Sequence, residues 1–230
     1  MRILAIESAT VIASCAISEN DVVLGEYSLG HKKTHSEKLM PLIERLLEDM
    51  EIKIQDIDVI AISEGPGSYT GLRIGAAIGK SLAYAINVPI ANVPTMKALA
   101  ANVYSSDKYI VPVMDAKSGR VYAGIYKWEN DSLITVKEQF PANIEELIEI
   151  LNQCTEPIIL SGDGSENYKN KFEESLKIKH TFSPKQFNSL RASSSAFLGY
   201  SMALNGETIS ASEFAPKYLR LSQAERNKMK

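Results

Sequence analysis

The chain has only two cysteines and three histidines among its 230 residues, and no excess of positive charge. Cys15 and Cys154 stand alone, without Cys-x-x-Cys or Cys/His ligand spacing, which excludes a disulfide framework and a zinc module. They read as two small core residues in a reducing compartment. Lys and Arg number 25 against 28 Asp and Glu, a formal charge of −3, so the whole surface cannot act as a grip on a phosphate backbone. RNA contact is then expected to be local or made by a partner. Long apolar runs are missing as well. The opening run Ile3-Leu4-Ala5-Ile6 stops at Glu7, too short for a signal-peptide core or a membrane span, and the expected location is cytoplasmic with no membrane partner. What the chain does have is 45% apolar residues, enough to fill a real core.

Hydrophobic alternation predicts strands over about 2–8, 12–18 and 21–29, a meander turned at Ser18-Glu19-Asn20-Asp21. A helix follows over 35–50, announced by Thr34 and Glu37 in capping-box spacing. Next come a strand over 57–62, a Gly-rich turn, a helix over 70–86 and a strand near 88–92. The same βββαβα order returns: strands near 109–115, 120–128 and 132–138, a helix near 143–151, a strand at 157–161 and a further helical segment. Gly65-Pro66-Gly67-Ser68 closes the fourth strand of the first half, and Gly162-Asp163-Gly164-Ser165 that of the second. Glu7 and Asp115 end the two first strands. A duplicated βββαβα unit is the plan of the α/β actin-like folds (sugar kinase/Hsp70-like, RNase H-like), in which nucleotide sits between two lobes. Such an analogy fixes no activity. The expected lobes are 1–105 and 106–230, with a helical stretch at 189–203 and a polar tail from Ala224 to Lys230.

Catalytic chemistry finds little support. The run Glu64-Gly65-Pro66-Gly67-Ser68-Tyr69-Thr70-Gly71-Leu72-Arg73-Ile74-Gly75 is a strand-to-helix turn that could hold an anion, yet Leu72-Arg73 stands where a Walker A loop needs its Lys. The dinucleotide fingerprint fails too, since a meander precedes the turn and no acidic ribose partner follows. His31 and His35 are four apart without a shared helical face or a His-Glu-x-x-His pattern, so no metal is expected. Ser68 lacks the Gly-x-Ser-x-Gly elbow, and no triad can be assembled. Active ATPases of the actin-like class place Asp, glycines and often a cation after the first strand. Here Glu7-Ser8-Ala9-Thr10-Val11-Ile12 lacks glycine and cation alike. Glu7, Gly65, Gly67, Ser68 and Asp115 are therefore expected to mark at most a vestigial nucleotide cleft, with no catalytic residue and no cofactor. A stand-alone actin-like ATPase or small-molecule kinase is the rival reading.

Two helices carry the stronger signal. Gly71, Gly75 and Gly79 recur every four residues on one side of the 70–86 helix, each costing about 1 kcal/mol of helix propensity against Ala. Leu72, Ile78, Leu82 and Ile86 flank them. In the 35–50 helix, Leu39, Met40, Leu42, Ile43, Leu46, Leu47 and Met50 cover nearly half the circumference, more than docking on one sheet needs, and Pro41 should bend its first turns. The expectation is a helix-bundle interface with a partner, centred on Leu39, Ile43, Leu46, Gly71, Leu72, Gly75, Ile78, Gly79 and Leu82. The alternative is that the glycine groove packs on the chain's own sheet.

Ile3-Leu4-Ala5-Ile6-Glu7-Ser8, His35-Ser36-Glu37-Lys38-Leu39-Met40-Pro41, the 64–75 run, Asp115-Ala116-Lys117-Ser118-Gly119-Arg120-Val121-Tyr122 and Tyr218-Leu219-Arg220 together resemble the bacterial TsaB (YeaZ) family over most of the chain. The resemblance implies a non-catalytic paralogue of the transferase TsaD that has lost the metal site. It implies pairing with TsaD through helices matching 36–50 and 71–86, and a homodimer through the same surface when alone. It also implies work alongside the ATPase TsaE in placing threonylcarbamoyl on tRNA adenosine, with tRNA touched only indirectly.

Overall fold

The structure, a computed structural model, describes residues 1–30, 35–105 and 107–219, apart from the side chain of His35. The first half runs β1 (Arg2–Glu7), β2 (Ala13–Glu19), β3 (Val22–Leu29), α1 (His35–Asp49), β4 (Val59–Gly65), α2 (Tyr69–Ile86), β5 (Ile90–Pro94) and α3 (Thr95–Ala100). The second runs β6 (Tyr109–Asp115), β7 (Arg120–Glu129), β8 (Ser132–Asn143), α4 (Ile144–Leu151), β9 (Ile158–Ser161), α5 (Asp163–Asn167), α6 (Lys169–Ser175), β10 (His180–Phe182) and α7 (Ala192–Leu204). The strand orders are β3-β2-β1-β4-β5 and β8-β7-β6-β9-β10. In each sheet the first three strands are antiparallel and the rest join in parallel, so the expected duplication holds strand for strand. The His31/His35 pair, the Thr34–Glu37 capping box and the tail from Arg220 onward fall outside what is described.

Side-chain size along the strands decides which helix covers which face. Successive residues of a strand point to opposite sides. Leu4, Ile6, Cys15, Ile17, Ile60 and Ile62 supply the large side, and they cluster with Leu39, Ile43 and Leu46 of α1 and Ala76 and Ala83 of α2. On the other side α7 lies close: a Cβ added at Gly199 would come within 2.6 Å of the Ala61 Cβ, 3.5 Å of Ile3 Cγ2 and 3.6 Å of the Ala91 Cβ. Glu26 of β3 anchors the start of α7, accepting from Ser193 N at 3.1 Å and Ser193 Oγ at 2.9 Å. Ser14 Oγ accepts from Ala192 N at 3.1 Å.

The chain therefore divides into residues 1–98 with 191–230, and residues 99–190. This differs from the expected cut near 105. Place in the sequence alone puts the last helix in the second lobe, but the helix packs on the first sheet through Gly199. In the second unit, Val111, Val113, Val121 and Ile125 pack with Leu147 and Leu151 of α4 and Phe172 of α6. Asn143 and Glu146 close a capping box on α4, each accepting the other's backbone N–H at 2.9 Å. No helix among the described residues is long and apolar enough to cross a membrane.

Candidate functional site

Glu7 ends β1 at the position where the fold class invites an acidic ligand for phosphate and metal. It is 0% exposed. Its Oε1 accepts Ser8 N and Ala9 N, both at 2.9 Å. Its Oε2 accepts the hydroxyls of Ser63 on β4 and, at 3.2 Å, Ser195 on α7. Burial pushes the Glu7 carboxyl up to about 6, with the four hydrogen bonds opposing the rise. The group ties three elements together and presents no oxygen outward. Nothing local in the sequence signals Ser195 as its partner, 188 residues away.

The glycine turn after β4 is closed by the chain itself. A Cβ on Gly65, whose φ is +117°, would run into Lys217 O, and one on Gly67 into Ala9 O and Cβ. Ser68 caps α2, accepting Gly71 N at 3.2 Å, while Ser68 N donates to Ala9 O at 2.7 Å. The close approaches that the glycines permit are thus made by the β1–β2 loop and the 217 backbone.

Asp115 belongs to the second unit. Its carboxylate accepts Lys117 N at 2.8 Å, Asn167 Nδ2 at 3.1 Å and Tyr168 Oη at 3.3 Å, and it pairs with Lys117 Nζ at 3.6 Å. Asp163 accepts Asp115 N at 3.0 Å, and its carboxyl is raised by burial. Among the described residues no cluster of three or more His, Cys, Asp or Glu could hold a metal ion.

The expected partner face requires a correction. Leu39 and Ile43 are 0% exposed and Leu46 and Leu72 1%, all inside the first unit's own core. A Cβ on Gly71 or Gly75 would overlap Ser8, and one on Gly79 would overlap Ile62 Cδ1. The glycine stripe seats α2 on its own sheet, because a stripe of small residues suits any close neighbour and β1 and β4 are that neighbour here. Of the nine residues only Ile78 and Leu82 keep partial exposure. The solvent side of α2 carries Arg73, Ala77, Ser81, Tyr84 and Ala85, bordered by half-buried Ile74, Ile78 and Leu82. Half-buried Met40, Leu42 and Leu47 lie on α1, where Pro41 is accommodated exposed inside the helix.

These two sheets and their strand order define an α/β protein of the actin-like, sugar-kinase class. YeaZ from Pseudomonas aeruginosa superposes with a TM-score of 0.79 at 21% identity over 95% of this chain and 99% of that one. An inorganic polyphosphate/ATP-glucomannokinase from Arthrobacter sp. strain KM shares the fold at a TM-score of 0.51 and 10% identity, over 89% and 99%. The family model described as TsaD, tRNA N6-adenosine threonylcarbamoyltransferase, matches residues 24–228. The tRNA threonylcarbamoyladenosine biosynthesis protein TsaB of Bacillus subtilis (strain 168) is 34% identical over 98% of this chain and 96% of its own. The chain belongs to the TsaB family, within the reach of the TsaD-type family model.

Proposed function

We propose that this chain serves the biosynthesis of tRNA threonylcarbamoyladenosine as a non-catalytic, cytoplasmic subunit that pairs with a TsaD-type transferase. The observation that carries the reading is Glu7: the one acidic side chain placed to receive phosphate or metal at the end of β1 is fully buried, with both oxygens already accepting two hydrogen bonds each. Chemistry then falls to the partner, and this chain contributes surface. The surface offered is the solvent side of α1 and α2 rather than the glycine stripe. Ala77 and Ser81 are small, exposed and one turn apart, and Ile74, Ile78 and Leu82 beside them remain only half-covered. A second helix pair can approach closely there, in an interface of standard size, about 1,600 Å² in total. The same face supports a homodimer when the chain is alone, and a TsaE-type ATPase joins the assembly.

Replacing Ala77→Arg together with Ser81→Arg tests this. Copurification with a TsaD-type partner should be lost while thermal stability stays at the wild-type value, since both positions face solvent. Unchanged copurification would remove the face from the account.

A further inference from the structure

The hairpin of β7 and β8 carries a cavity near its tip that the proposed function does not use. It measures about 620 Å³ and is lined by Tyr104, Lys127, Trp128, Glu129, Asn130 and Asp131, all within the second unit. The two rings have centroids 5.5 Å apart and are tilted by 47°, so neither face is closed by a flat stack on the other. Trp128 is fixed in place, its Nε1 donating to Val103 O at 2.7 Å. Tyr104 stays 68% exposed, too open to serve mainly as packing. Lys127, the one cation of the lining, is already held: its Nζ donates to Glu156 Oε1 at 2.7 Å and lies 5.9 Å from the Tyr109 ring centroid. Glu129 and Asp131 are exposed and enter no ion pair among the described residues. Asn130 and Asp131 turn the hairpin at φ +47° and +64°, a conformation that glycine adopts with less strain. The turn itself therefore does not call for the Asp131 carboxylate.

We propose that this cavity receives an arginine side chain from a basic segment of a partner protein: the guanidinium lies against the Tyr104 and Trp128 rings, and Glu129 and Asp131 neutralise it. Guanidinium is the cation that suits both halves of the site, because its plane stacks on an aromatic face while its N–H fork pairs with carboxylate. Two carboxylates repel phosphate, which disfavours a nucleotide or an RNA base although the rings alone would stack one. An apolar side chain would cover the rings and leave the carboxylates unanswered. The site belongs to the second unit, whereas α1 and α2 belong to the first, and it stands whether or not that helix face binds a transferase.

Trp128 is the only tryptophan in the chain, so its fluorescence reads this site directly. The test titrates the full chain with a capped tetra-arginine peptide in low-salt buffer, beside tetralysine, tetraglutamate and AMP. Tetra-arginine should give a saturable change that weakens as salt is added, tetralysine should bind more weakly, and tetraglutamate and AMP should leave the signal unchanged. Tyr104→Ala should weaken tetra-arginine binding about fivefold with the salt dependence kept; Tyr104→Leu replaces it if Tyr104→Ala does not fold. Glu129→Gln with Asp131→Asn should weaken binding about fivefold and remove most of the salt dependence. No saturable change with tetra-arginine, equal binding of tetralysine, or variants that bind as wild type does would overturn the proposal. Binding of AMP in place of the peptide would overturn it too, making the rings a platform for a base.

Discussion

Glu7 shows what a buried carboxylate does when its acceptors are used internally. Its carboxyl is raised from 4.5 to about 6 by burial, so between those values the folded chain holds a proton that the unfolded chain has released. This group's contribution to stability is therefore largest below pH 4.5 and falls as pH rises to about 6, by about 2 kcal/mol. Urea unfolding of Glu7→Gln and wild type across that window should show the difference moving in favour of the variant as pH rises, by about that amount. A difference independent of pH would mean that burial does not set this titration. The sequence revealed an acid at the end of β1 and the missing glycine and cation after it. It could not reveal Ser63 and Ser195, because their contact with Glu7 depends on strand neighbours and on a distant helix.

The two faces of α2 separate stability from the assembly we propose. Gly79 rests on Ile62, and Gly79→Val forces extra atoms into a filled space. Overpacking of that kind costs about 1–3 kcal/mol, a fall in melting temperature of about 5 °C, and it should appear in the isolated chain by calorimetry. An unchanged melting temperature would contradict the placement of the stripe. Gly75→Arg belongs with this variant and is expected to damage the fold itself, because its side chain would meet Ser8. Helical spacing made the stripe and the aliphatic arc of α1 legible. It could not say which side of the helix meets the sheet, since glycine spacing and apolar width look alike at an internal and an external contact. The short elements α3 and β10 gave no periodic signal long enough to read, and β10 has only three residues.

Across the whole molecule, the repeated strand order was legible because each half carries its own alternation and its own glycine turn. The assignment of α7 to the first unit was not, because α7 has no clear apolar face and its close seat is made by Ile3 of β1, Ala61 of β4 and Ala91 of β5. The assembled picture is a duplicated actin-like chain whose first acidic position is an internal tie, with the solvent side of α1 and α2 as the contact surface we propose. The most direct measurement is the threonylcarbamoyladenosine content of tRNA after reaction with a TsaD-type transferase and its supply of activated threonylcarbamoyl, with and without this chain. Modification should require both proteins, and a Glu7→Gln, Asp115→Ala double variant should support it as well as wild type does. Modification by this chain alone, or equal modification by the transferase in its absence, would contradict the account.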